Sequence, residues 1–470
     1  MNKVVFIFLL AFVQFGFSQT ETCDCLANLS KIVQKTEENY AGFPTKKNAD
    51  YALLVKALKQ KAAGEIYPKK CFYILKTYIR FFKDKHFVLT YRNEKDFDNE
   101  TITGVESYLE TNKVKLSSLE GVWISADSST KIGIKKTANG VFKGIVLESK
   151  DPKLPAGLVL ITLTSNGKNY IAKEYNSFST TDVPAKQNGN LLQIWNYAMF
   201  GKIYPTSMSL EEEDELATWK NNNNGLIFKT LSPKTAYLKI TTFMNNDDKI
   251  QQLVAQNDAT IRNTENLIVD LTGNGGGNTG WVAFLSYFMT NSIVQPSSFL
   301  RITPENVTSK LADLEPFVKN PIPNDYKKYF PDSVLNAYKQ AYTELPTTQQ
   351  QFYPIPSVSF PLDSVTKNPK RIALVADDFC GSSAEYFFFI AQKSKKTKTY
   401  GTHTIGMMDY EGMSNPTQLS CSYYNLFIPN MKSSWTDKNP IDQTGFRPQV
   451  LLNHIPQNKW LDFIVKDLEK

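Results

Sequence analysis

The sequence lacks the features that mark several protein classes. Its lysines and arginines are scattered and form no basic stripe interleaved with aromatics, so a nucleic acid is not the expected partner. After the first residues there is no apolar run near the ~20 residues of a membrane span. Cys23 and Cys25 form a Cys-x-Cys pair without further ligands at useful spacing, so neither a metal nor another cofactor is predicted. The net charge of +7 is interpreted as a solubility feature.

The first residues indicate the compartment. Lys3 precedes the apolar run Val4–Val13, and small residues follow at Gly16 and Ser18. This order predicts a signal peptide at 1–18 that is removed on export. We therefore expect a periplasmic or secreted protein with no integral membrane segment after signal removal.

Five cysteines are present, an odd number that leaves at least one thiol free. In an exported protein some of them are expected to pair. Cys71 is predicted to pair with either Cys23 or Cys25, because all three lie in the same N-terminal region.

The 470 residues suggest about three domains. In 19–117, apolar residues recur near the helical period, which predicts a helical region. In 118–235, short apolar runs are separated by turn signals such as Asn166-Gly167 and Asn188-Gly189, which predicts a β-rich module. In 236–470, strand and helix patterns alternate, so the overall prediction is an α/β protein.

Two loops in the last part carry candidate chemistry, and the first is rich in glycine. The strand pattern at Leu267–Thr272 runs into Gly273-Asn-Gly-Gly-Gly277 and then into a helix. Such a loop brings backbone N–H groups close to a ligand. It could form a phosphate cradle or an oxyanion hole, but the lysine and serine of a Walker loop are missing, and the glycine spacing does not match the dinucleotide fingerprint.

The second loop carries a serine where a strand passes into a helix. The strand pattern Arg371–Ala376 is followed by Cys380-Gly-Ser-Ser-Ala-Glu385 and an aromatic helix pattern. The first turn of a helix has unpaired N–H donors, and its dipole favours a developing anion beside Ser382. The same segment is also a capping box, Ser-x-x-Glu, so both interpretations remain open.

Together the two loops resemble the tail-specific (C-terminal-processing) serine peptidases, in the branch that includes the tricorn core. The matching segments are Asp270-Leu-Thr-Gly-Asn-Gly-Gly-Gly277, Ser382-Ser-Ala-Glu385 and Gly445-Phe-Arg-Pro-Gln449. The resemblance covers about 235–470, plus the signal-bearing helical start. It implies a crotonase/ClpP-like catalytic domain of stacked strand–strand–helix units. The N-terminal helical region and the β-rich middle module, predicted from the residue patterns, would precede that domain. Many relatives carry a PDZ module in the middle region, but the strand pattern here looks different.

The resemblance also implies which residues provide the nucleophile and the oxyanion hole. Ser382 is the expected nucleophile. The N–H of Ser383 and one N–H from Gly275 or Gly276 are expected to form the oxyanion hole.

The base departs from part of the family, because the lysine of the bacterial enzymes is replaced in Thr404-Ile-Gly-Met407. The tricorn-like branch uses an upstream histidine, which points to His86 in Lys83-Asp-Lys-His-Phe. Asp442, just before the Gly-x-x-Pro motif, is then expected to orient the imidazole. His403, near the position of the missing lysine, is the reserve base.

These residues predict an exported serine protease that hydrolyses protein or peptide substrates through an acyl-enzyme. The alternative is a non-catalytic protein on the same fold that binds peptides, lipids or glycans. A coenzyme A enzyme of the crotonase type is a third reading, which the signal peptide disfavours. Oligomeric state and substrate do not follow from the sequence.

Overall fold

The chain folds into a mixed α/β structure, as predicted. The computed structural model describes residues 23–470 apart from 221–224, 325–326, 328–329, 363 and 414–415. The predicted signal peptide lies outside the described residues. Among the residues that are described, no helix combines the length and the apolar character needed to cross a membrane.

The first part of the described chain is mainly helical, and its apolar core also takes in residues from the end of the chain, such as Tyr424 and Leu426. Asp24 caps the first helix because its Oδ1 accepts the Ala27 N–H at 2.9 Å. Pro68 opens the fourth helix, where a missing N–H removes no hydrogen bond. The elements are α1 (Cys25–Asn39), α2 (Phe43–Lys46), α3 (Tyr51–Ala62), α4 (Pro68–Phe81), β1 (Val88–Tyr91) and α5 (Val105–Thr111).

Two disulfides hold this helical part. Cys25 pairs with Cys71, one of the two partners that the sequence left open. Cys23 pairs with Cys421, which links the first helix to a segment 398 residues further along the chain. Cys380 is a buried free thiol.

A closed eight-stranded barrel follows, in the order β10-β2-β3-β4-β5-β6-β8-β9. Its interior is filled by apolar side chains around the fully buried Trp123. The Asn-Gly pairs at 166–167 and 188–189 connect adjacent antiparallel strands, with both glycines at positive φ. The strands are β2 (Gly121–Ser125), β3 (Thr130–Ala138), β4 (Val141–Ser149), β5 (Val159–Asn166), β6 (Asn169–Glu174), β7 (Phe178–Ser179, outside the barrel), β8 (Val183–Asn188), β9 (Leu191–Ile194) and β10 (Ala198–Tyr204).

The remaining chain alternates helices and strands. Its first elements are α6 (Leu210–Thr218), β11 (Ile227–Ser232), β12 (Thr235–Lys239), α7 (Asp247–Asn263), β13 (Asn266–Asp270), α8 (Val282–Phe288), β14 (Ile293–Val294), β15 (Ser298–Arg301), α9 (Pro304–Lys319) and α10 (Asp332–Glu344). The later ones are β16 (Phe352–Ile355), β17 (Ser359–Phe360), β18 (Arg371–Ala376), α11 (Ser383–Ala391), β19 (Thr397–Gly401), β20 (Tyr410–Glu411), β21 (Tyr424–Phe427), β22 (Met431–Lys432), β23 (Val450–Leu451) and α12 (Trp460–Leu468).

A six-stranded sheet, ordered β11-β12-β13-β18-β19-β23, organises this part. Only β11 runs antiparallel to its neighbour, and the other pairs are parallel. One face packs on α7, α8 and α11, and the other packs on α12. Strands β13 and β18 are neighbours, so the glycine loop and the serine loop leave the same sheet edge side by side.

Strand β1 joins the helical part to both other parts. It pairs with β7, beside the barrel, and with β21, which follows the six-stranded sheet's strand β19 along the chain. This pairing fixes the connection between α4 and β1, and therefore the position of His86, against the sheet edge that carries the two loops. A four-stranded sheet, β16-β15-β22-β20, and the pair β14-β17 complete the fold.

Candidate active site

Ser382 lies at the entrance to α11, directly after the loop that leaves β18. Its φ of +51° and ψ of −123° place a non-glycine residue in a rarely populated region. Such strain is held only where the surroundings over-determine the backbone, and it is frequent at nucleophile turns. The Ser382 N–H donates to Glu385 Oε2 at 3.3 Å, which is the Glu half of the predicted capping box.

His86 reaches Ser382 from the helical part of the chain. Its Nε2 is 3.1 Å from Ser382 Oγ, and its Nδ1 is 2.8 Å from the carbonyl oxygen of Tyr410. A carbonyl only accepts, so the proton of the neutral ring is assigned to Nδ1 and the Nε2 lone pair faces the serine hydroxyl. His86 is 5% exposed, so little water competes for these contacts.

The other two histidines lie elsewhere. His403 Nδ1 contacts the Thr444 carbonyl at 2.9 Å, and His454 is exposed. Neither lines the cleft around Ser382. The structure therefore places His86, the expected base, beside Ser382, and it places His403, the reserve base, elsewhere.

Asp442 does not contact His86. Its Oδ2 accepts from Lys46 Nζ at 2.8 Å, and its Oδ1 accepts from the Asp409 N–H at 3.0 Å. The expected role of orienting the imidazole through a direct hydrogen bond does not fit this arrangement, because the Tyr410 carbonyl already occupies Nδ1 and Lys46 holds the carboxylate.

The carboxylate that touches His86 is Asp84, which the sequence analysis did not single out. Its Oδ1 accepts the His86 backbone N–H at 2.8 Å, and its Oδ2 accepts the Tyr40 hydroxyl at 2.7 Å. Burial, and then the charge of Asp442, raise the pKa of Asp84. An aspartate two residues before a candidate histidine is the available sequence signal, since an Asx-type turn closes over that spacing.

The glycine loop lies directly against the serine. Gly276 has a φ of +93°, and a Cβ there would lie 2.7 Å from Ser382 Cβ and 2.9 Å from Ser383 N. Its own N–H, however, donates to Asn274 Oδ1 at 2.9 Å. Gly275 packs on the indole of Trp195 instead of lining the cleft.

Gly277 is the glycine of this loop that lines the cleft. Phe243 bonds to the residues on either side of it, since its N–H donates to Gly276 O and its carbonyl accepts from the Asn278 N–H. In such a parallel bridge the N–H of the central residue points to the opposite edge. The donor that faces the cleft is therefore assigned to Gly277, one residue beyond the predicted pair.

A cleft of about 420 Å³ opens over these groups. Ser382, Ser383, His86 and Gly277 lie in its wall, so a bound acyl group can meet hydroxyl, imidazole and amide donors together. The rest of the wall is mostly apolar or uncharged. It consists of Thr279, Trp281, Gln295, Pro296, Ser298, Ile355, Pro356, Ser357, Tyr386, Met408, Glu411, Gly412, Met413 and Met431.

Residues 234–450 match the family model described as peptidase family S41. This part of the chain belongs to peptidase family S41. The chain is accordingly a serine peptidase, as the two loops predicted. No curated protein matches the sequence.

The solved structures of mature CPAF show the same fold over almost the whole length of the chain. Mature CPAF, solved in complex with lactacystin, aligns with a TM-score of 0.52 and 13% identity over 94% of this chain and 97% of that chain. The photosystem II D1 C-terminal processing protease aligns with a TM-score of 0.40 and 11% identity over 93% and 94%. The CPAF likeness shows that the helical part and the barrel belong to the shared architecture.

Within the S41 domain, a buried carboxylate holds the serine turn against the next loop. Glu385 Oε1 accepts from Thr404 Oγ1 at 2.6 Å and from the Gly406 N–H at 2.8 Å, and its Oε2 accepts from the Met407 N–H at 2.9 Å. Burial raises the pKa of Glu385 to about 7, against the opposing effect of these donors. Residues 404–407 therefore support the turn that carries Ser382.

A lysine of the barrel contacts the loop that carries Ser382 and, through an aspartate of that loop, the glycine loop. Lys186 Nζ lies 2.8 Å from Asp377 Oδ2 and 2.6 Å from Asp378 Oδ1. Asp377 Oδ1 in turn accepts the N–H groups of Gly273 and Phe379. Burial alone would raise the pKa of Asp377. The charge of Lys186 and the donated hydrogen bonds lower it by more, so the pKa lies below its ordinary value.

No metal site accompanies the peptidase site in the part of the chain that the structure describes. No group of three or more histidine, cysteine, aspartate or glutamate side chains is placed to hold an ion there. The contacts of the S41 site are those of hydroxyl, imidazole and backbone amides.

Proposed function

We propose that this S41 peptidase is an exported enzyme that cleaves protein or peptide substrates through an acyl-enzyme on Ser382, with His86 as general base. The observation that carries this proposal is the contact of 3.1 Å between His86 Nε2 and Ser382 Oγ, made while His86 Nδ1 faces the Tyr410 carbonyl. That pairing leaves a lone pair aimed at the hydroxyl proton, which is what activation of a weak nucleophile requires.

The proposed reaction has two halves. His86 Nε2 takes the Ser382 proton while Oγ attacks the peptide carbonyl carbon. The tetrahedral oxyanion is stabilised by the N–H groups of Ser383 and Gly277, and each such donor is worth about 10²–10³ in rate. The imidazolium then protonates the leaving amine, and a water, deprotonated by the same nitrogen, hydrolyses the ester and restores Ser382.

The imidazolium needs negative partners when it forms. The Tyr410 carbonyl accepts from Nδ1, and the Asp84 carboxylate is held on the backbone of His86 itself. We assign to these two groups the orienting role that the sequence analysis gave to Asp442. Asp442 has no contact with His86. It binds Lys46 and the backbone N–H of Asp409, and so supports the segment that leads to Tyr410.

Export to the periplasm or the exterior is part of the proposal. The signal-like pattern at 1–18 supports it, and so do the two disulfides, which persist in oxidising compartments. The proposal covers both cleavage of internal peptide bonds and processing of carboxyl-terminal chain ends.

The nucleophile is tested by Ser382→Ala, with Ser165→Ala as the matched control on an exposed barrel strand. Ser382→Ala is expected to lower kcat/KM on a peptide substrate by at least 10³-fold and to abolish labelling by a fluorophosphonate. The control should cleave and label like the wild type. Hydrolysis by Ser382→Ala at the wild-type rate would contradict the assignment.

The base is tested by comparing His86→Ala with His403→Ala. We expect the first variant to lose activity almost as completely as Ser382→Ala, and the second to keep it. Loss of activity in His403→Ala but not in His86→Ala would assign the general base to His403. A wild-type protein that binds peptides but never reacts with the fluorophosphonate would favour the non-catalytic binding protein.

A further inference from the structure

Glu411 lies in the cleft beside the proposed catalytic pair. It directly follows Tyr410, the residue whose carbonyl contacts His86. In a strand, successive side chains point to opposite sides. Tyr410 packs into the aromatic core against Tyr40, with ring centroids 5.5 Å apart, and Glu411 lines the cleft.

Glu411 is the only carboxylate in the described wall of the cleft, and that wall contains no lysine or arginine. One of its oxygens, Oε1, accepts from Ser298 Oγ. No ion pair joins Glu411 to any described cation, and Lys310, whose charge reaches it, is paired with Asp313 at 2.8 Å. Among the described residues no hydrogen bond or ion pair is made to its Oε2, so that oxygen is available to a substrate group in the cleft.

A carboxylate removed from water without a cation is unfavourable. Burial accordingly raises the pKa of Glu411, and only Ser298, His86 and Lys310 act against that shift. A cationic group arriving with the substrate would supply the missing partner. A substrate group that carries a carboxylate would meet repulsion here and no compensating positive side chain.

The surroundings suit a long side chain with a charged end. Ile355, Met413 and Met431 line the same cleft and offer apolar surface. Lysine and arginine bury their aliphatic stems on such surface while the charged end reaches a polar partner.

We propose that Glu411 is a specificity-determining residue that binds a lysine or arginine side chain of the peptide substrate near the scissile bond. The inference rests on the proposed function, since it names the substrate class of the same site. It favours cleavage beside internal basic residues over recognition of a terminal carboxylate.

The first test varies one substrate residue and one enzyme residue. Peptides carry arginine, citrulline or glutamate in turn at each position flanking the scissile bond, because citrulline resembles arginine in shape but has no charge. At one position, wild-type kcat/KM is expected to be at least tenfold higher for arginine than for citrulline, and lowest for glutamate. In Glu411→Gln the ratio of arginine to citrulline should fall to about one, and in the control Glu213→Gln, an exposed helix residue, it should stay high.

The second test removes catalysis. The arginine and citrulline peptides are titrated calorimetrically into Ser382→Ala and into Ser382→Ala combined with Glu411→Gln. The arginine preference should persist in the first protein and disappear in the second. Equal binding of both peptides to Ser382→Ala would overturn the inference, even where the wild type reacts with a fluorophosphonate. A preference that persists in a wild type without such reactivity would support the cation site and refute the proposed function.

Discussion

At the scale of single residues, Glu385 is a carboxylate without a charged hydrogen-bond partner. Its two oxygens accept from one hydroxyl and three backbone N–H groups, and all four donors belong to the serine turn or to 404–407. A carboxyl group suits this place because it accepts at both ends when ionised and carries only a single hydrogen when protonated. Gln has the same shape but presents an NH₂ group to two of those donors.

We therefore expect Glu385→Gln to destabilise the protein by about 1–3 kcal/mol, the cost of leaving buried donors unpaired. Activity should fall as well, because the Ser382 N–H loses its anchor. Urea denaturation measures the first effect and peptide hydrolysis the second. The same change at the exposed Glu213 should stay within about 0.5 kcal/mol of the wild type. Equal stability of the two variants would show that Glu385 does not hold the turn.

The same residue gives a pH dependence with a defined sign. Burial raises the pKa of Glu385 to about 7, above its usual value of 4.5, so the folded state binds this proton more tightly than the unfolded state. Its contribution to stability is then full below about pH 4.5 and is lost as the pH rises through about 7. The stability gap between wild type and Glu385→Gln should therefore narrow from pH 4.5 to pH 8, and a gap that widens would contradict this sign.

Single residues could be predicted where a side chain, rather than a backbone group, performs the proposed role. Ser382 stood out because a small-residue turn between strand and helix exposes a hydroxyl, and His86 followed from the family resemblance. The Tyr410 carbonyl could not be found in this way, because every residue has a carbonyl and only the fold decides which one meets an imidazole. Asp442 was expected at His86 because the resemblance places an orienting acid just before the Gly-x-x-Pro motif. Its actual partner, Lys46, lies 396 residues away and gives no local signal.

At the scale of elements, the glycine loop after β13 packs so closely on the serine turn that a methyl group has no room. A Cβ on Gly276 would lie 2.6 Å from the Gly381 carbonyl oxygen and 2.7 Å from Ser382 Cβ. The loop's register also decides which amide faces the cleft, and the pairing with Phe243 is the reason why we propose Gly277 rather than Gly275 or Gly276. A sequence motif marks such a loop but not its register, which depends on a distant strand end.

Gly276→Ala is therefore expected to reduce kcat/KM by at least about 10²-fold, the value of a misplaced oxyanion donor. The matched control is Gly167→Ala in the β5–β6 turn, where φ is also positive but a Cβ would meet nothing within 4 Å. Both variants carry a backbone cost of about 1 kcal/mol or more. Only the first should lose activity, and comparable activity in both would show that the close approach is not required.

At the scale of the whole molecule, three structural parts converge on one site. The helical part supplies His86, the S41 domain supplies Ser382 and the glycine loop, and the barrel supplies Lys186. The separate strands and helices follow local patterns, which is why their types were predictable. Barrel closure between β10 and β2 and the disulfide from Cys23 to Cys421 are long-range pairings with no local pattern.

Lys186 is the test of whether the barrel serves the active site. Its Nζ is buried between Asp377 and Asp378, and Asp377 holds the N–H groups of Gly273 and Phe379, one in each loop. Burial acts to lower the pKa of Lys186, but the two aspartates outweigh it and raise the pKa, so the lysine is charged. Removing that charge leaves Asp377 buried without its cation.

We expect Lys186→Met to destabilise the protein by about 3–5 kcal/mol, the cost of breaking a buried pair from one side. Lys131→Met, which removes an exposed ion pair with Glu148 on the same barrel, should cost about 1 kcal/mol or less. Adding Asp377→Asn to Lys186→Met should recover much of the stability, because the second change removes the uncompensated charge. It should not recover kcat, since the barrel no longer fixes the two loops. Full activity in the stable double variant would show that the barrel is joined to the S41 domain without positioning its site.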